Sequence, residues 1–140
     1  MECNDRLISL TFCSRTNRLK LLRCVIRDAA DMVGLDGQAT DAVVLAVNEA
    51  CANIIQHAYR MDPDGRIDVT LMQEQGALVI QLRDYAHKVD TEKICSRDLD
   101  DVRPGGLGVH LIDCLMDECG FIDPPEGIGN LFQMKKYTGT

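Results

Sequence analysis

A chain of 140 residues, 46% hydrophobic and with a net charge of −7, is large enough to bury one core without disulfides or metals, and reads as a single domain over residues 1–140. The acidic balance and the absence of any dense Lys/Arg run exclude a general nucleic-acid binder, which needs a basic surface against phosphate, and favour basic or mixed protein partners. Seven cysteines, odd in number, scattered, and without a Cys-x-x-Cys pair, argue for free thiols in a reducing cytoplasm rather than a disulfide framework.

The N-terminus has no apolar signal core, and no window approaches the eighteen apolar residues of a membrane span, so neither export nor membrane anchoring is expected. With no Trp, three Tyr and three Phe, the core should be mostly aliphatic. Asp5 to Cys13, with Leu7, Ile8, Leu10 and Phe12, reads as a strand. Thr16 to Val33 carries Leu19, Leu22, Ile26, Ala29, Ala30 and Val33 at helical spacing and is closed by Gly34, a residue suited to a left-handed cap.

A second helix, capped by Asp36 or Thr40, runs to about Tyr59, before the turn Asp62-Pro63-Asp64-Gly65. Arg66 to Glu74 and Ala77 to Arg83 alternate apolar and polar residues around Gln75-Gly76, the pattern of a hairpin. From Tyr85 to Pro104 the chain turns polar and charged; a loop of about twenty residues in a compact domain tends to be functional or mobile. A helix from Gly106 to about Glu118 follows, burying Val109, Leu111, Ile112 and Leu115. Strands at Cys119 to Ile122 and Leu131 to Tyr137 close the chain. The order of elements predicts an α+β, two-layer sandwich with an open sheet covered on one face by about three helices. Cys51 and Cys114 fall in predicted helices among apolar neighbours and are expected to act as small hydrophobes.

Two segments carry chemistry. Arg103-Pro104-Gly105-Gly106-Leu107-Gly108-Val109-His110-Leu111-Ile112 is a glycine-rich turn leading into a helix, whose first amides have no intrahelical partner and can face phosphate. Such loops also serve as plain helix starts. In the second helix Glu49, Asn53 and His57 recur every four residues and share one stripe, with apolar residues on both sides. Such a stripe suits a polar cavity, offering a carboxylate for proton or metal work and an amide oxygen for a hard cation; the plainer reading is the solvated face of an ordinary helix.

These segments, with Leu115-Met116-Asp117-Glu118 and Gly129-Asn130-Leu131, resemble the anti-sigma-factor serine kinases of bacterial partner-switching systems, within the ATPase superfamily that also contains histidine kinases and gyrase. The resemblance covers nearly the whole chain. It implies a Bergerat-type fold with a mostly antiparallel, mixed sheet, and ATP and Mg2+ as cofactors. It also implies phosphorylation of a serine or threonine on a small antagonist (anti-anti-sigma) protein, and sequestration of a sigma factor or similar regulator. Homodimers are common in that family.

Residue by residue, the resemblance makes Glu49 the catalytic carboxylate, Asn53 the magnesium-binding amide and Asp84 the acceptor for the adenine amino group. Gly105, Gly106, Leu107 and Gly108 form the phosphate-cradling turn with Arg103 before it, and Asn130 is a polar residue near the nucleotide. His57 is expected to fix helix geometry. The chain departs from the family's Asp-x-Gly at Ala86, a base-pocket position whose methyl group would resist positive backbone angles. That departure keeps open an alternative, a nucleotide-binding protein-interaction module with weak or no catalysis. A detached histidine-kinase-type catalytic domain is a further alternative.

Overall fold

The computed structural model describes residues 5–87 and 104–139, the side chains of 104–109 excepted. Five strands form one sheet in the order β1-β2-β3-β5-β4: β1 is Arg6–Cys13, β2 Arg66–Glu74, β3 Ala77–Asp84, β4 Glu118–Ile122 and β5 Asn130–Tyr137. Every neighbouring pair is antiparallel. The expected mostly antiparallel sheet is found, and among the described residues it has no parallel pair. The crossover from β3 through the third helix leads to the sheet edge, and β5 returns between β3 and β4, so no two strands of like direction touch.

Among the described residues three α-helices, α1 (Leu19–Val33), α2 (Gly37–Asn53) and α3 (Pro104–Leu115), cover the sheet, with α2 packed between the other two. A short 3-10 turn, Thr16–Arg18, precedes α1. The apolar face of α1, including Leu22, Ile26 and Ala30, meets the strand residues Ile67, Val69, Leu71, Leu78, Ile80 and Leu82 in one core. Because strand side chains alternate, the other sheet face receives Asp68, Thr70, Gln81 and Arg83.

The helix ends follow local chemistry where the sequence offers it. Gly34 closes α1 at φ +92°, with the Leu35 N–H donating to Ala30 O at 3.0 Å and the Gly34 N–H to Asp31 O at 3.1 Å, the paired bonds of a Schellman cap. Of the two expected caps for α2, Asp36 serves: its carboxylate accepts from the Ala39 N–H at 2.8 Å.

Two helix boundaries differ from the sequence reading. α3 starts at Pro104, which places Gly105 and Gly106 inside the helix rather than in a turn before it; the fixed φ of proline suits a first helical position. At its other end α3 stops at Leu115, short of the expected Glu118. Glu118 instead pairs with Lys135 in the sheet, while the Lys136 ammonium donates to Leu115 O at 2.8 Å. Of the two cysteines expected to be apolar filler, Cys51 is fully buried and its thiol is pushed up to about 12 by desolvation. Cys114, expected to act as a small hydrophobe among apolar neighbours, is exposed, and so is Leu111, which helical spacing places on the buried face.

Candidate functional site

The site residues gather where the C-terminal ends of α2 and β3 meet β4 and β5. A cavity of about 60 Å³ there is lined by Ala50, Asn53, Ile54, Asp84, Ile112, Phe121 and Phe132. That is the space of about two waters, well below a typical ligand pocket, so the described walls are too close to enclose a whole nucleotide. The Phe121 and Phe132 rings lie 5.0 Å apart, tilted at 60°. The walls are apolar except for one carboxylate and one amide.

Asp84 ends β3 and is 3% exposed. Its Oδ1 accepts from Asn130 Nδ2 and from the Ala86 N–H, both at 3.0 Å. Burial raises its carboxyl above the ordinary aspartate range, against the opposing pull of those two hydrogen bonds. Asn130 Nδ2 also donates to His87 O at 3.0 Å. Thus Asp84, Ala86 and Asn130, singled out separately in sequence, form one hydrogen-bonded unit. Ala86 is not among the residues with positive φ. The turn here asks nothing of a glycine, and the bond from its N–H to Asp84 Oδ1 gives it a local structure that alanine adopts without strain.

Glycine is instead required at Gly129, which has φ +73°. A Cβ there would sit 2.0 Å from Asp84 O, so the backbone before Asn130 passes against the backbone of Asp84 with no room for a side chain. This position carries no motif in the sequence reading beyond the Gly129-Asn130-Leu131 run.

Asn53 and Asp84 line the same cavity. Glu49, one residue before the lining residue Ala50, is half-buried and has no ion-pair partner among the described residues. His57 is exposed. The stripe of Glu49, Asn53 and His57 therefore does not continue past Asn53, because Ile54–Ala58 is wound as a π-helical turn with the Tyr59 N–H donating to Ile54 O at 2.9 Å. The wider turn moves His57 off the line that α-helical spacing assigns it. The turn ends at Arg60 and Met61, two non-glycine residues with positive φ (51° and 66°). A π turn with left-handed residues after it is the kind of irregularity that collects at functional sites.

Gly105, Gly106, Leu107 and Gly108 lie in the first turns of α3, where the leading amides have no intrahelical partner. Arg103 lies outside the described residues. Tyr59 and Tyr85 were missed by sequence reasoning as parts of the site; their hydrogen bonds join segments 26 residues apart, and no local pattern announces them.

A larger open cleft of about 490 Å³ lies between α1 and α2, lined by residues that include Asp28, Asp31 and Asp41. Its carboxylates oppose a phosphorylated ligand, and its Arg27 is paired with Asp41 at 3.0 Å. No helix of the described residues is long and apolar enough to cross a membrane.

The family model for the histidine kinase-like ATPase domain matches residues 12–136. Among curated proteins, the chain is similar to the serine-protein kinase RsbW of Bacillus subtilis (strain 168), at 25% identity over 126 residues, which cover 84% of this chain and 79% of that protein. It is similar also to the serine-protein kinase RsbW of Listeria monocytogenes serovar 1/2a (strain EGD-e), at 28% identity over 119 residues, covering 79% and 76%. Among solved structures, the RsbU and RsbW domains of Rv1364c from Mycobacterium tuberculosis match with a TM-score of 0.65 at 17% identity, over 93% of this chain and 31% of that one. That likeness is one of fold, and the chain spans about a third of the larger polypeptide. With the α+β sheet-and-helix layers in place and the family model matching nearly its full length, the chain belongs to the histidine kinase-like ATPase domain family.

Proposed function

We propose that this protein binds ATP with Mg2+ at the Asp84–Asn53 pocket and transfers the γ-phosphoryl group to a serine or threonine of a small antagonist protein. In this reading the whole of residues 1–140 works as one domain in the cytoplasm, and it holds a sigma factor or similar regulator when the antagonist is absent or phosphorylated. The observation that supports it most is the pocket: one buried carboxylate, anchored through a single oxygen, in the wall of a small, mostly apolar cavity in a family of ATPases whose similar members are named serine-protein kinases. A small, mostly apolar cavity with a fixed acceptor suits one edge of a purine carrying an exocyclic amino group.

The residues fit the implied groups. Ala50, Ile54, Ile112 and Phe132 offer apolar contact to a ring, Asp84 accepts from its amino group, and Asn130 together with the Ala86 N–H holds that acceptor in place. Asn53 supplies one amide oxygen for magnesium, a cation that takes few protein ligands when phosphates and water complete its shell. When bound, Mg2+ would neutralise charge on the phosphates. The unpartnered amides at the start of α3, those of Gly105 and Gly106, would bind phosphate oxygens, with Leu107 and Gly108 continuing the same first turns and Arg103 adding positive charge. Glu49, half-buried beside the pocket wall, would orient the acceptor hydroxyl and take its proton. A new phosphate on the antagonist would add charge at the shared surface and release it. A homodimer would present two such sites.

The test is transfer of labelled γ-phosphate from ATP to a purified antagonist protein by the wild type and by Glu49→Gln. Transfer should fall by about a hundredfold or more in the variant, the lower end for general acid–base catalysis, while ATP affinity is kept. Equal transfer by the variant removes Glu49 from the chemistry. Tight ATP binding without transfer to any antagonist would favour the non-catalytic interaction module.

A further inference from the structure

We propose that Tyr59 and Tyr85 are positioning residues that hold the Asp84 carboxylate for discrimination of the base; this rests on reading Asp84 as the base acceptor. Tyr59 follows the π-helical turn, and its hydroxyl makes two bonds, accepting from the Tyr85 N–H at 2.7 Å and donating to Arg66 O at 2.6 Å. One side chain from the helix layer thereby fastens the residue after Asp84 to the residue that opens β2. The ring packs directly against Gly65, so closely that a Cβ there would lie 2.6 Å from its atoms; only glycine leaves it this space. Burial also raises the Tyr59 hydroxyl above the usual tyrosine range.

Tyr85 is held from the opposite side of the sheet. Its hydroxyl donates to the Asp68 carboxylate, and the guanidinium groups of Arg66 and Arg83 lie 5.1 and 4.7 Å from its ring centroid. Asp68 is held in turn by Thr11 at 2.7 Å and Arg66 at 2.9 Å. Arg83 Nη2 reaches Pro125 O and Ile128 O at 3.3 and 3.4 Å, tying the same cluster to the loop before Gly129.

The segment Asp84-Tyr85-Ala86 is thus gripped from the helix layer through Tyr59 and from the open face through Tyr85. The Ala86 N–H, next in the chain after Tyr85, donates to Asp84 Oδ1 at 3.0 Å. Neither tyrosine lines the cavity, so both act through Asp84. A carboxylate fixed in this way is set to accept from an amino group and to reject a carbonyl oxygen at the same position, because a rigid polar site cannot relax to pair with the wrong partner.

Titration of Mg2+-loaded ATP and inosine triphosphate, which carries a carbonyl where adenine has its amino group, distinguishes positioning from general support. The wild type should prefer ATP. Tyr59→Phe, which keeps the ring and deletes the hydroxyl with both of its hydrogen bonds, should lose about tenfold in ATP affinity, with inosine triphosphate affinity kept. Tyr85→Phe removes only the bond to Asp68 and should narrow the preference in the same direction by a smaller factor; it carries the test alone if Tyr59→Phe does not fold. Equal weakening of both nucleotides, or an unchanged ratio, overturns the proposal while leaving the reading of Asp84 intact. A wild type that binds both nucleotides equally would overturn the base role of Asp84 and the positioning role with it.

Discussion

The two long helices of the fold differ in how far they keep to local rules. α1 has one buried face at regular spacing and a glycine cap with both expected hydrogen bonds. α2 is buried on more of its circumference and passes at Asn53 into a π-helical turn, followed by two left-handed non-glycine residues. Regularity goes with scaffold and irregularity with site: α1 contributes no residue to the Asp84 cavity, whereas Ala50, Asn53 and Ile54 at the end of α2 line it and Tyr59 fixes its neighbour. A protein can keep such departures where the surrounding packing over-determines them.

Breaking the regular helix should cost stability and nothing else. Ile26, fully buried at the centre of α1's inner face, should lose about 2–5 kcal/mol as Ile26→Ala, read by denaturant unfolding, with nucleotide affinity unchanged in the fraction that remains folded.

The site end should respond in the opposite sense. Because burial raises the Asp84 carboxyl, the folded state holds that proton more tightly than the unfolded chain does. The sign follows: below the ordinary aspartate value both states are protonated and the carboxyl costs nothing. As pH rises from there through the raised folded value, the cost of the buried charge appears, and it persists above. Asp84→Asn keeps an oxygen for Asn130 and Ala86 but cannot ionise. Its stability relative to the wild type should therefore rise across that pH window, measured by unfolding at stepped pH, while ATP binding is lost because an amide N–H now confronts the base.

A smaller effect sharpens the contrast. Gly34 has φ +92° with open space around a would-be Cβ, so Gly34→Ala should cost only the backbone strain of about 1 kcal/mol, with no change at the site.

Much of the scaffold was legible from sequence because its signals are local. The spacing of Leu22, Ile26 and Ala30, the Gly34 cap and the alternation around Gln75-Gly76 each fix an element within a few residues. Misses came where distant partners decide. Glu118 left the helix for a pairing with Lys135, and Cys114 and Leu111 turned outward once α3 settled against α2. At the site, Asp84 and Asn130 were readable as motif residues, and their mutual hydrogen bond follows from the register that pairs β3 with β5 at those two positions. The π-helical turn was not readable: Ile54-Ile55-Gln56-His57-Ala58 carries no local mark of it, and the stripe that placed His57 beside Asn53 assumed a helix that the backbone does not continue. At Ala86 the positive backbone angle that would favour glycine is not used, while the room its methyl group leaves for a base is a matter for the nucleotide titrations.

The most direct test of the central claim is calorimetric titration of the protein with ATP, with and without Mg2+, in the wild type and in Asn53→Ala. The account predicts binding that depends on Mg2+ and loses that dependence in the variant. Absence of binding at millimolar ATP, or Mg2+-dependent binding that Asn53→Ala leaves unchanged, would contradict it.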